Sequence, residues 1–252
     1  MKTIFKKILK NLFFKNGIKR QISSIDIVFP YGFHNYYETD YEADNVKYFR
    51  TSVKNGNIVI DVGAQLGLMT KLFSDLVGEN GRVHSFEPTP TTFALLNETV
   101  HLNHLSNVVT NQMAVCEVSG TAGFSISGID ADAGNTLSTD RSLNRKEITI
   151  NTISIDDYMA SKKTPKIDFI KIDAEGAEYL VLLGATSAMK NDRPFINLAL
   201  HPISIKNMGH SLEQIYDLVQ ERGYKIMYLN TIIDKAEFCK EVNLFDVQLI
   251  PE

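Results

Sequence analysis

Acids that stand just before turns are the residues of this chain best placed to do chemistry. Asp61 opens the run Asp61-Val62-Gly63-Ala64-Gln65-Leu66-Gly67, with the spacing Asp-x-Gly-x-x-x-Gly. Small residues at such a turn let the backbone approach a ligand closely, and a helix that follows offers its N-terminal amides. An acid at its mouth can accept hydrogen bonds from a cationic, amine-bearing ligand. Glu87, ahead of Pro88, ends the next apolar run, at about the 20-residue offset at which nucleotide folds carry an acid for the two ribose hydroxyls. A third group follows in Lys171-Ile172-Asp173-Ala174-Glu175-Gly176-Ala177-Glu178. Asp173 and Glu175 are the functional candidates there, because carboxylates at strand exits gather at sites. Glu178 equally suits the first turn of a helix, where the macrodipole favours an acid.

What these groups exclude is as useful. The dinucleotide pattern Gly-x-Gly-x-x-Gly would need a glycine where Gln65 stands, and no Gly-Lys-Ser or Gly-Lys-Thr phosphate loop is present. Asp173 and Glu175 are hard oxygen ligands. No third ligand stands near them by spacing, and His34, His84, His101, His104 and His210 form no ligand pattern, so no metal is expected. Cys116 and Cys239 are too few for a disulfide framework and read as packing thiols in a reducing compartment.

The elements that must position these residues are legible from hydrophobic patterning. Ile58–Val62 is an apolar run without alternation, as in a central parallel strand buried on both faces. The pattern then predicts a helix over 66–76, a strand over 82–87, a helix over 91–103 and a strand over 108–113. Residues 117–154, punctuated by Gly120, Gly123 and Gly128, read as a β-rich excursion. Strands over 167–173, 194–200, 224–229 and 244–249 follow, with helices over 177–183 and 211–222. Strand–helix alternation of this kind predicts a doubly wound α/β fold, a mostly parallel sheet with helices on both faces. An antiparallel pair is expected among the closely spaced late strands.

Ahead of this body, spanning 57–252, residues 21–56 form a lead-in. Its stretch 25–41 is rich in aromatics and reads as irregular chain or short strands, able to cover a site or to serve as a brace. Its last part, 40–53, reads as a helix. Residues 1–20 hold seven of the 26 Lys and Arg and no acid, which leaves 19 basic against 30 acidic residues elsewhere. So acidic a body is a poor binder of phosphate backbones, and nucleic acid is not an expected partner. Within 1–15, Ile4, Phe5, Ile8, Leu9, Leu12 and Phe13 recur at helical spacing between lysines. Such a basic amphipathic helix can lie on the inner face of a membrane, pack on the body, or join a second copy in a homodimer. Lys6, Lys7 and Lys10 interrupt any signal-like apolar stretch, and no run reaches the ~18–20 residues of a membrane span, so the expected location is cytoplasmic.

Three segments together carry a resemblance. Val59 to Gly67, Phe86-Glu87-Pro88-Thr89-Pro90 and Ile170 to Glu178 are similar, in order and spacing, to the motifs of FkbM-type methyltransferases, over roughly residues 40–205. The resemblance implies a Rossmann-like sheet of seven strands, the last inserted antiparallel, and S-adenosylmethionine as methyl donor, with S-adenosylhomocysteine as product. Asp61, Gly63, Ala64, Gln65 and Gly67 would form the cofactor loop, Glu87 and Pro88 the ribose end, and Asp173 a further cofactor contact. The implied reaction is O-methylation of a sugar, glycan or lipid-linked saccharide. A small secondary metabolite is the alternative acceptor. His201, Asp173 and Glu175 are the catalytic candidates: His201 or Asp173 as base, Glu175 to orient substrate. The family often carries Leu-Glu-x-His after the fifth strand, where this chain has Leu198-Ala199-Leu200-His201. A nicotinamide-dependent oxidoreductase and a non-catalytic binding module remain the rival readings.

Overall fold

The computed structural model describes residues 16–127, 135–137, 146–163 and 166–252. The expected amphipathic helix of residues 1–15 lies outside them, as does part of the 117–154 excursion. No helix among the described residues is long and apolar enough to cross a membrane.

The aromatic lead-in begins as a hairpin. Strands β1 (Ile18–Ile22) and β2 (Ile25–Phe29) pair antiparallel around Ser23 and Ser24, both at positive φ. Two such residues give a turn whose twist matches that of the flanking strands. Helix α1 (Ala43–Ser52) leads to β3 (Ile58–Val62), then α2 (Leu68–Val77), β4 (Arg82–Phe86), α3 (Pro90–Leu102) and β5 (Val108–Asn111). The sequence expectation ran this last strand on to Met113. Instead the chain leaves the sheet there and starts a second one, of β6 (Ala114–Val115), β7 (Gly120–Ile126) and β8 (Lys146–Ile153), in the order β6-β8-β7. This is the β-rich excursion.

The alternation then resumes with α4 (Ile155–Lys162), β9 (Phe169–Ile172), α5 (Glu178–Leu183), α6 (Thr186–Asn191), β10 (Phe195–Leu200), α7 (Pro202–Asn207), α8 (Leu212–Glu221) and β11 (Tyr224–Tyr228). A two-residue β12 (Thr231–Ile232), the short α9 (Lys235–Phe238) and β13 (Phe245–Pro251) complete it. Caps explain several starts. Ser154 accepts from Asp157 N at α4, and Ser211 with Gln214 forms a capping box at α8. Helices α4, α6, α7 and α9 are four to eight residues long, too short for their periodicity to stand out in the sequence.

The main sheet has the order β12-β11-β13-β10-β9-β3-β4-β5. Strands β10, β9, β3, β4 and β5 pair in parallel, and β13 lies antiparallel between β10 and β11. The sheet therefore has eight strands rather than seven, because β12 extends the β11 edge. From β3 the chain adds β4 and β5 on one side, then crosses to β9 on the other. That reversal opens a crevice at the carboxyl ends of β3 and β9, the usual ligand position in such sheets.

Alternation along the strands builds a core on each face. Val59 and Phe169 belong to one core with Ile22, Phe49 and Phe73, whereas Ile60, Val62, Ile170 and Ile172 belong to the other with Val181, Leu182 and Ile215. Phe49 ties α1 to the sheet: its ring lies 5.1 Å from that of Phe73 and 5.7 Å from that of Phe169, both edge-on. Phe49→Ala should cost roughly 3–5 kcal/mol of unfolding free energy. Urea denaturation of both proteins reads this directly, and a loss under about 1 kcal/mol would mean that α1 is not anchored by this ring.

Candidate active site

A cavity of about 320 Å³ opens at this crevice, within the size range of small-molecule sites. Strand ends and the loops after them supply its floor. Gly63, Ala64 and Gln65 follow β3, Glu87, Pro88 and Thr89 follow β4, and Asp173, Ala174 and Glu175 follow β9. Ala199 and His201 come from the end of β10. Met113, Phe124, Asn135 and Leu137 of the excursion form one wall, and Tyr37, Tyr41 and Glu42 of the lead-in form another.

Gly63 is where a side chain is least tolerable. Its φ is +75°, and a Cβ there would stand 2.0 Å from the Asp173 carbonyl oxygen. The loop it opens is held from below and above. Gly63 N and Ala64 N donate to Phe86 O, and Gln65 N donates to Glu87 Oε2 at 3.2 Å. The Gln65 side chain donates to Tyr36 Oη at 2.7 Å and accepts from Tyr37 Oη at 2.6 Å. The aromatic lead-in thus packs across the mouth of the site.

Glu87 is buried at the cavity edge. Its Oε1 accepts from Thr89 N at 2.8 Å. Burial pushes its carboxyl up to about 7, against the two backbone N–H groups that favour the charged form.

Two of the expected cofactor-loop residues lie away from the cavity. Asp61 does not line the cavity. It shares the face of β3 that carries Val59, and so lies under α2. There Thr70 Oγ1 donates to its Oδ2 at 2.6 Å, while its Oδ1 has no partner. Burial raises its pKa, with Lys171 and Thr70 opposing. Gly67 does not line the cavity either. At φ +88° it precedes α2, and a Cβ would meet Leu96 at 2.8 Å, so its smallness serves contact between α2 and α3.

Between β9 and β10 lies a charged network. Lys171 Nζ is 3.1 Å from Asp173 Oδ2. Burial alone would lower its pKa, but Asp173, Asp61 and Glu42 outweigh that and raise it. His201 Nδ1 is 2.8 Å from Oε1 of Glu178, the fully buried first residue of α5. The same oxygen accepts from Gly176 N at 3.0 Å. The other ring nitrogen, Nε2, lies 3.5 Å from Glu175 Oε2 and 3.8 Å from Asp173 Oδ1. Burial opposes a charge on the ring, yet Glu178, Glu175 and Asp173 together raise its pKa to about 9. That shift favours the protonated ring over the free base. Glu175, strained at φ +50°, is pushed up to about 7 by burial, with His201 pulling the other way.

The spacing argument against a third metal ligand is also corrected. Asp173, Glu175 and His201 each bring one donor atom within 4.8 Å of the others, close enough to share a divalent cation. Sequence reasoning missed several lining residues. A lysine inside the apolar strand Phe169–Ile172 was a usable signal for Lys171. Nothing marked Glu42, Phe124, Asn135 or Asp246, which reach the site only through tertiary packing.

The model of the Methyltransferase FkbM domain matches residues 61–226, well over half of the chain. The chain belongs to the FkbM methyltransferase family. Hexuronic acid methyltransferase AglP of Haloferax volcanii is 29% identical over 160 residues, 64% of this chain and 62% of that protein. The match thus spans under two thirds of that relative's length. 31-O-demethyl-FK506 methyltransferase FkbM of Streptomyces tacrolimicus is 26% identical, covering 69% of this chain and 75% of that protein. Among solved structures, methyltransferase FkbM of Methylobacillus flagellatus shares the fold with a TM-score of 0.50 at 15% identity, over 82% of this chain and 51% of that one. Precorrin-6y C5,15-methyltransferase of Geobacter metallireducens does so with a TM-score of 0.50 at 11% identity, over 85% and 90%. A Rossmann-like methyltransferase fold is thereby established.

Gly63→Ala should destabilise the fold by at least about 2 kcal/mol, because the new methyl clashes with the Asp173 backbone rather than with a movable side chain and sits at positive φ. Urea denaturation of both proteins reads this loss, and an unchanged stability would show that β3 and β9 do not meet as closely as this contact requires.

Proposed function

We propose that the chain is an S-adenosylmethionine-dependent O-methyltransferase acting on a hydroxyl of a sugar, glycan or lipid-linked saccharide. The observation that carries this reading is the joint placement, in one cavity, of a glycine cradle, a buried Glu87 and the Asp173–Glu175–His201 network. The relatives' names, one a hexuronic acid methyltransferase and one a methyltransferase of an FK506 precursor, agree with an oxygen acceptor on a sugar or small metabolite.

The residues present fit this cofactor. Gly63 lets the loop after β3 turn tightly against the Asp173 carbonyl and line the cavity with backbone, and Glu87 keeps lone pairs for two ribose hydroxyls beside the backbone donors it already has. Gln65, Ala64, Pro88 and Asp173 complete the cavity side. Asp61 acts one layer down, supporting Lys171. When bound, the cofactor supplies an electrophilic methyl on a sulfonium, which an acceptor oxygen displaces in line.

The chain's own task is to position the acceptor, exclude water and take one proton. Glu175 is the group suited to the proton. Its carboxylate faces the cavity and its raised pKa brings it near neutrality, where a general base is most effective. His201, fixed by Glu178, keeps its proton and stabilises negative charge on Glu175 and the acceptor oxygen. Asp173 is held by Lys171 and orients. Glu175 thus takes the base role that the sequence expectation gave to His201 or Asp173.

The sign of the pH dependence follows. Activity should rise as Glu175 loses its proton near pH 7 and fall as His201 loses its own near pH 9, giving a bell in kcat/KM. Glu175→Gln should lower kcat by about 10²–10⁴-fold and flatten the acidic limb in part, since Glu87 also sits at about 7. On this reading no divalent ion takes part, and EDTA should leave the rate unchanged. A flat profile in the wild type, or full inhibition by EDTA reversed by a divalent cation, would overturn these assignments.

A further inference from the structure

The cavity walls come from different parts of the chain. The glycine cradle, Glu87 and the charged network lie within residues 61–226, the part matched to the family. Glu42 and Asp246, which also line the cavity, lie outside it on opposite sides. Glu42 immediately precedes α1, held at φ +49°. Asp246 is on β13, directly opposite Ala199 of β10 in the antiparallel register. Residues so paired share a face, with Cβ atoms about 4.5–5.5 Å apart. The methyl of Ala199 therefore leaves the space beside Asp246 open to the cavity.

The two acids are built together. Asn45 Nδ2 donates to Glu42 Oε2 at 3.3 Å, and the Asn45 side chain also bonds Asp246. Asn197 Nδ2 donates to Asp246 Oδ1 at 3.1 Å from the neighbouring strand. Around the whole cavity, the described lining residues include five acids and two cations, Lys171 and His201. Both cations are committed, Lys171 to Asp173 and His201 to Glu178. Every lining cation among the described residues already faces carboxylates of the site, His201 Nε2 included at 3.5 Å from Glu175 Oε2, so a carboxylate on an acceptor would have to compete with them. Burial already raises the pKa of both Glu42 and Asp246, so a further negative charge nearby would be costly.

We propose that Glu42 and Asp246, bridged by Asn45, form an acidic wall that selects a hydroxyl-bearing acceptor without an acidic group and rejects uronic acids. Sugar hydroxyls donate hydrogen bonds to such carboxylates, whereas an acceptor carboxylate would stand unpaired among like charges. This rests on the reading of the cavity as a methyl-transfer site. It sets the chain apart from AglP, whose name specifies a hexuronic acid acceptor.

The test uses the full chain saturated with S-adenosylhomocysteine. Binding of 4-nitrophenyl glucoside, galactoside and mannoside is compared by NMR with that of the matching uronides, for the wild type and for Glu42→Gln/Asp246→Asn. The wild type should bind at least one neutral glycoside about tenfold more tightly than its uronide. The double variant should reduce that preference to about threefold or less. Equal or tighter uronide binding by the wild type, binding of no neutral glycoside, or an unchanged preference in the variant would each overturn the proposal. Calorimetry with S-adenosylhomocysteine alone separates the two levels. Normal cofactor binding with a uronide preference removes only the acidic wall, whereas absent cofactor binding removes the methyl-transfer reading beneath it.

Discussion

The site depends on β3 and β9 being neighbours in the sheet although they are far apart in sequence. Their parallel pairing carries Val62 to Ile172 and sets Gly63 against the Asp173 carbonyl. The glycine is obligatory because of this contact, so the cradle after β3 and the acids after β9 are fixed by a single constraint. The crevice exists because the chain, having laid β4 and β5 on one side of β3, must return to the other. Everything else is attached around that opening. The lead-in closes the mouth through Tyr36, Tyr37 and Gln65, and the second sheet supplies a side wall through Phe124.

Electrostatics then decides what the opening can do. Buried charges survive in low dielectric only when paired and hydrogen-bonded. Lys171 has Asp173, with Asp61 beneath, and Glu178 has His201 and Gly176 N. Pairing His201 with a fully buried carboxylate fixes its ring and favours its protonated form. Glu175 and Glu87, whose charges are penalised by burial, are both pushed up to about 7, and of the two Glu175 is the one beside His201. Resemblance pointed to the histidine because imidazole titrates near neutrality when free. Here the surrounding acids carry it out of that range.

Much of this was legible in the sequence, for identifiable reasons. The apolar runs 58–62 and 167–173 read as strands, and Glu87, Asp173 and Glu175, singled out as strand-end acids, line the crevice. The antiparallel late strand was expected and is β13. What could not be read depended on side-chain direction or on distant packing. Asp61 resembled a ligand contact, but strand alternation turns it under α2. Gly67 was expected in the cofactor loop, but it serves the approach of α2 to α3. The third donor beside Asp173 and Glu175 arrives from β10, 26 residues on from Glu175, beyond any spacing rule. Glu42 and Asp246 meet only because α1 and β13 converge over the carboxyl end of β10.

The central claim is that this crevice is a cofactor site for methyl transfer rather than for hydride transfer or for binding alone. Side-by-side calorimetric titration of the wild-type chain with S-adenosylhomocysteine and with NADH tests it most directly. The account predicts one site of micromolar affinity for S-adenosylhomocysteine, about −8 kcal/mol, and no heat with NADH. A well-folded protein that ignores S-adenosylhomocysteine, or that prefers NADH, would contradict it.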